Sequence, residues 1–155
     1  MKNTLALCCD CGNQRSLIAS MCPFCGSKET YVEADARWKC HVINLEMNMP
    51  LVDQAMERFH VQLEKIRGKG LRAVKVIHGH GSSGSGGNIR REFRRAMEDG
   101  LWGEGIMEVY FGEILNPNSP QYQSLLQTYP AIKNSITKDM QGNPGITLLI
   151  IDKNF

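Results

Sequence analysis

Val76-Ile77-His78-Gly79-His80-Gly81-Ser82-Ser83-Gly84-Ser85-Gly86-Gly87-Asn88-Ile89-Arg90-Arg91 runs from an apolar, β-type segment through a glycine-rich turn into an arginine-studded helix. Five glycines between positions 79 and 87 let the backbone approach a ligand closely, because glycine lacks a Cβ and reaches conformations closed to other residues. The helix that follows offers unpaired N–H groups and the positive end of its dipole at the same place. His78, His80 and the hydroxyls of Ser82, Ser83 and Ser85 add donors and titratable groups. The expected guest is an anion. A plain connector would explain one or two of these glycines, but not five beside paired histidines.

Gly79-His80-Gly81-Ser82-Ser83-Gly84 satisfies the G-x-G-x-x-G spacing of dinucleotide sites. That fingerprint also needs an acid about 20 residues on, at the end of a second strand. The carboxylates near that distance, Glu98 and Asp99, fall at a helix end, and no Gly-Lys-Ser/Thr step is present to make a Walker loop.

Working outward, His41 to Met47 reads as a strand, with Asn48 as a cap and Pro50 just inside the next helix. Val52, Ala55, Met56, Phe59, Leu63 and Ile66 recur at helical spacing, and Gly68 and Gly70 end the run. Leu71 to Ile77 is a second strand. Ile89, Phe93, Ala96 and Met97 mark a second amphipathic helix stopped by Gly100, and Gly105 to Phe111 a third strand. Residues 116 to 141 form an excursion with a short helix near Gln121 to Thr128, and Ile146 to Ile151 is a buried strand. Strands alternating with helices predict an α/β sheet with right-handed crossovers, whose ligands bind beyond the carboxyl ends of the strands. The loop after Ile77 lies there.

The 155 residues suit one ordinary domain with a small appendage. No stretch approaches the roughly 20 apolar residues needed to cross a bilayer, and the residues before Cys8 are too few for a signal peptide, so a cytoplasmic protein is expected. The net charge of +2 hides an asymmetry: positions 65 to 95 hold nine basic residues and one acid, giving +8 against −6 elsewhere. A basic segment containing an anion-ready loop points to a polyanion, nucleic acid above all. Gly79, Gly81, Ser82, Ser83, Gly84, Lys75, Arg90, Arg91, Arg94 and Arg95 are the candidate contacts.

Six cysteines in an intracellular-looking chain suggest a metal before disulfides. Cys8-Cys9-Asp10-Cys11-Gly12 and Cys22-Pro23-Phe24-Cys25-Gly26 each read C-x-x-C-G. Two residues between thiolates let one tight turn aim both sulfurs at a single ion, so Cys8, Cys11, Cys22 and Cys25 form a closed tetrahedral set for structural zinc. Cys9 competes with Cys8 but breaks the spacing. Some 30 residues cannot bury enough surface alone, and a zinc ion supplies on the order of 10 kcal/mol of folding energy. Cys40 stands apart as a small apolar residue.

These knuckles resemble a zinc ribbon over the first 28 residues or so. From His41 onward the chain resembles the small MutS-related (Smr) domain, a family with a two-layer α/β fold that acts on DNA or RNA and includes endonucleases. His78-Gly79-His80-Gly81 matches its H-G-x-G loop, Ile89-Arg90 its L-R step, and Gly142-Asn143-Pro144-Gly145 its G-G-x-G turn with Asn143 replacing the second glycine. Residues 1–30 are then the ribbon, 31–40 a connector and 41–155 the Smr-like domain, with 116–141 inserted. The family's L-D-x-H motif, tied to nuclease action, reads Ile43-Asn44-Leu45-Glu46 here. Binding carries over better than cleavage.

The resemblance and the residues together imply an adaptor that grips phosphates of DNA or RNA, the ribosome included. The alternative is an endonuclease, with Glu46 as base or cation holder, His78 or His80 as acid and Arg90 as clamp. A third reading is a protein-interaction module using the ribbon and the 116–141 excursion.

Overall fold

In the computed structural model, Val76 and Ile77 end a strand of a four-stranded sheet. The structure describes residues 5–8, 13–16, 19–28, 38–48, 50–80, 87–100, 105–152 and 154–155. At the amino end, β1 (Leu5–Leu7) and β2 (Gln14–Ser16) form an antiparallel hairpin, Leu5 opposite Ser16. In the larger sheet, β3 (His41–Asn44) lies parallel to β4 (Ala73–Ile77), the two joined through α1 (Val52–Ile66). After β4 come α2 (Asn88–Glu98), β5 (Ile106–Phe111), α3 (Pro120–Thr128), a 3₁₀ turn at Pro130–Ser135 and β6 (Ile146–Ile151).

The spatial order is β3-β4-β6-β5, and β6 runs antiparallel to both neighbours. The expectation of parallel crossovers therefore holds for β3–α1–β4 alone among the described elements. All six residues of β6 are buried, as a central strand covered on both faces requires. Ile77 pairs with Ile146 and Phe111 with Thr147, so the carboxyl ends of β3, β4 and β5 and the start of β6 share one edge of the sheet.

Side-chain alternation divides the interior into two cores. Val74, Val76, Leu149 and Ile151 face α1 and α2, where Ala55, Phe59, Leu63, Phe93 and Ala96 complete one cluster. Phe59 meets Phe93 edge to face, with centroids 5.1 Å apart, tying the two helices together. Ala73, Ile146, Leu148 and Ile150 point the other way, against Leu115, Tyr122, Leu125, Ile132 and Met140. The expected two layers are thus three. Residues 116–141 cover a sheet face that is otherwise apolar. Trp38, near the end of the expected connector, is buried in this second core against Tyr129, centroids 5.0 Å apart.

Three local expectations change. The first strand stops at Asn44 because the Asn44 side-chain oxygen accepts the Glu46 N–H at 2.9 Å and turns the chain. Asn48, at φ +65°, and Pro50 lie before the helix, and the cap is Leu51, whose N–H donates to Gln54 Oε1 at 3.0 Å. The second strand begins at Ala73, since Arg72 is buried with its Nε donating to the Ile151 carbonyl at 2.8 Å.

Candidate nucleic-acid interface and metal centre

His78 continues the alternation of Val74 and Val76 beyond the end of β4, which turns its ring toward α2. It is buried and packs on Phe93, centroids 5.3 Å apart. Its Nδ1 lies 2.8 Å from the Gly79 carbonyl and its Nε2 2.8 Å from Thr147 Oγ1. A carbonyl only accepts, so Nδ1 carries the proton and Nε2 accepts from the threonine hydroxyl. Burial, aided by the Arg94 and Arg90 charges and opposed by the Gly79 hydrogen bond, lowers the pKa to about 4. His78 is therefore neutral at pH 7, with both nitrogens engaged. His80, two residues on, is exposed.

Gly79 takes φ +70°, and a Cβ there would overlap the carboxylate of Glu46. The carboxylate thus sits over the Gly79 Cα, and β3's end is brought beside the loop by the Leu45 N–H, which donates to the Ile77 carbonyl at 2.8 Å. The turn before β6 closes the floor. The Gly145 carbonyl accepts from both His78 and Gly79 N–H at 3.0 Å, and a Cβ on Gly145 would come within 3.2 Å of Gly79 Cα. Asn143 organises that turn, accepting the Gly145 N–H at 2.8 Å and donating to the Asp139 carbonyl at 2.9 Å. The two glycine motifs read from the sequence are in direct contact.

On α2, Arg94 pairs with Glu113 and reaches the Pro144 carbonyl at 3.3 Å, its guanidinium 4.3 Å from the Phe111 ring centre. Arg90 lies 3.9 Å from the other Glu113 oxygen. The hydrogen bond and charge of Arg94 hold the Glu113 carboxyl below its ordinary range. The buried Nε atoms of both arginines have no partner among the described residues. Arg91 and Arg95 are exposed, the first bonded to Asn88 Oδ1 at 2.6 Å and the second 3.6 Å from Glu92. These arginines, with Asn88, Glu92 and Glu98 of the same helix and Val52 from α1, line a groove of about 690 Å³. Gly87, the N-cap, has φ +91° and no side chain of its own to cap the first turn.

Lys75 does not join this group. It points to the opposite face of the sheet with Ala73 and Ile77, and binds Asp139 at 2.6 Å. Gly81, Ser82, Ser83 and Gly84 lie outside the described residues. Sequence reasoning missed Thr147 and Glu113. Thr147 had a signal, a lone hydroxyl in the apolar run from Ile146 to Ile151. Glu113 had none.

At the amino end, the thiols of Cys8, Cys22 and Cys25 lie within 4.8 Å of one another, and three such cysteines could hold a metal ion. Cys8 and Cys25 sulfurs are 3.6 Å apart, close to the ~3.8 Å edge of a tetrahedron built from zinc–thiolate bonds. Both turns are closed by backbone bonds: Cys8 N–H to the Asn13 carbonyl at 2.7 Å, and Gly26 N–H to the Cys22 carbonyl at 2.8 Å, with Gly26 at φ +72°. Burial raises the Cys22 pKa, but the backbone N–H groups of Cys25 and Phe24 and the neighbouring thiols outweigh it, and the value falls to about 7. The donor set fits a soft divalent ion. Cys11 and Cys9 lie outside the described residues. Cys40 is partly buried beside the second core, and burial pushes its thiol up to about 11, as an inert cysteine requires.

No protein-family model and no curated protein matches the sequence. Among solved structures, the chain is similar to the crystal structure of the Smr domain of Thermus thermophilus MutS2, at 18% identity and a TM-score of 0.42, over 74% of this chain and 98% of that one. No helix among the described residues is long and apolar enough to cross a membrane.

Proposed function

We propose that the chain is a nucleic-acid-binding protein that holds backbone phosphates of DNA or RNA, the ribosome's RNA included, between the glycine loop and α2. Cys8, Cys11, Cys22 and Cys25 hold a zinc ion that folds the ribbon. One observation carries the reading: the two glycine motifs that resemble Smr sequences touch through Gly145 and Gly79 beside Arg90 and Arg94. Phosphate oxygens there meet backbone donors and guanidinium groups together. Arg91 and Arg95 extend the basic surface along the helix. Such contacts position a strand without reading its sequence. Zinc in this role supplies rigidity and no reaction step, because four thiolates leave no open coordination position.

A second reading, phosphodiester cleavage, is favoured by one feature. The Glu46 carboxylate sits over Gly79, within reach of a phosphate seated on the loop. There it would deprotonate the attacking hydroxyl or hold a cation, with His80 rather than the buried His78 as proton donor and His78 fixing the loop through Gly79 and Thr147. Incubating the zinc-loaded protein with labelled DNA and RNA, single- and double-stranded, separates the two. Retention without product supports the binding reading. Cleavage that disappears in Glu46→Gln and in His80→Ala establishes the second.

A further inference from the structure

The segment from Leu45 to Val52 is held at two points. Glu46 packs on Gly79 at one end, and Val52 lines the arginine groove at the other. The described residues between them, Met47, Asn48, Pro50 and Leu51, form an arch braced by Arg58, whose Nη1 donates to the Met47 carbonyl at 2.8 Å. Two apolar side chains stand out from it, Met47 at 58% and Leu51 at 72% exposure. Neither closes a core: α1 buries Ala55, Phe59, Leu63 and Ile66, and its cap residue Leu51 contributes nothing to that stripe.

Resting on the phosphate-binding reading, we propose that this site takes nucleic acid with unpaired bases, single-stranded RNA or DNA, whose base faces pack on Met47 and Leu51 while Arg91 and Arg95 hold the backbone. Charge complementarity sets the partner, because Val52, next to Leu51, lines a groove that holds four arginines against two glutamates. A duplex exposes base faces to such side chains only where a step is unstacked, at a cost that an open strand does not bear. An open strand offers phosphates to the arginines and π-faces to the arch at once. The arch carries no aromatic ring, so the contact is sequence-tolerant apolar packing of the kind made by Met and Leu side chains at unstacked steps.

The test is fluorescence anisotropy of the full, zinc-loaded chain with an unstructured oligonucleotide and with the blunt duplex made from it, each across a salt series. Met47→Ser/Leu51→Ser and Arg91→Ala/Arg95→Ala are measured alongside, all four positions being exposed. The expected result is tighter binding of the single strand, with the arch variant losing about tenfold on the single strand alone, the contribution of about 55 Å² of newly buried apolar surface, at an unchanged salt slope. Equal affinity for both forms, or an arch variant that behaves as the parent, overturns the proposal while leaving salt-dependent binding intact. An absence of salt-dependent binding to either form overturns the phosphate-binding reading itself, and the arch proposal with it.

Discussion

The cysteine module and the α/β domain differ in what lies at their centres. Among described residues, the buried apolar cluster of the first consists of Cys8 and Cys22, which are themselves candidate ligands. The second has two separate apolar cores on opposite faces of one sheet. Where ligand atoms are the core, stability follows the metal. Where hydrocarbon is the core, a polar group such as His78 can be buried at its edge and kept neutral by its surroundings. Most of what can be tested follows from that contrast.

The largest effect should come from removing metal. Chelation at neutral pH, or Cys22→Ser, should unfold the cysteine module, where the proposed structural zinc would be worth on the order of 10 kcal/mol, and leave the melting of the α/β domain in place. Near-UV circular dichroism reports the second, through Trp38 in its core, and cobalt substitution spectroscopy the first. A single cooperative loss of both would break the contrast.

Phe93→Ala should follow. Phe93 is fully buried, meets Phe59 edge to face and carries the His78 ring, so truncation should cost about 3–5 kcal/mol in urea unfolding. It should also release His78 toward an ordinary titration.

Acid should act through His78. The unfolded ring titrates near its ordinary value of 6.5 and the folded one at about 4. Between those values the unfolded chain holds the extra proton, so stability is complete above about pH 6.5 and declines as pH falls toward 4, by about 3 kcal/mol in all. His78→Gln should lower stability at pH 7 and remove that part of the slope, which urea melts at several pH values would show.

Gly79→Ala should have the smallest effect on folding, about 1–2 kcal/mol, because φ +70° disfavours a side chain and the exposed Glu46 carboxylate can move aside. The same change should weaken anion binding more than it weakens the fold, and Glu46→Ala beside it should recover part of the stability.

Much of this was legible in the sequence. The turn at Gly79, both amphipathic stripes and the central strand announced themselves by period and composition, and Gly79 and Gly145, one from each glycine motif, turned out to be neighbours. The third layer was not visible as such, since a nine-residue helix and 3₁₀ turns give no sustained period. Lys75 was grouped with the arginines by proximity along the chain. The strand alternation that places His78 with Val76 places Lys75 on the other face, so strand parity already held the answer. Glu113 lies 19 residues from Arg94 in a 3₁₀ turn, and only the fold brings the two together. Asn44, read as a lost acid, serves in the folded chain to turn the end of β3.

The most direct test of the central claim is the salt dependence of nucleic-acid affinity, compared between the parent chain and Arg91→Ala/Arg95→Ala. Binding through phosphates predicts a linear fall of log affinity with log salt, with a slope reduced by about 1.4 to 1.8 in the variant, since each neutralised phosphate contributes roughly 0.7 to 0.9. An affinity that ignores salt, or a slope the variant leaves unchanged, would contradict it.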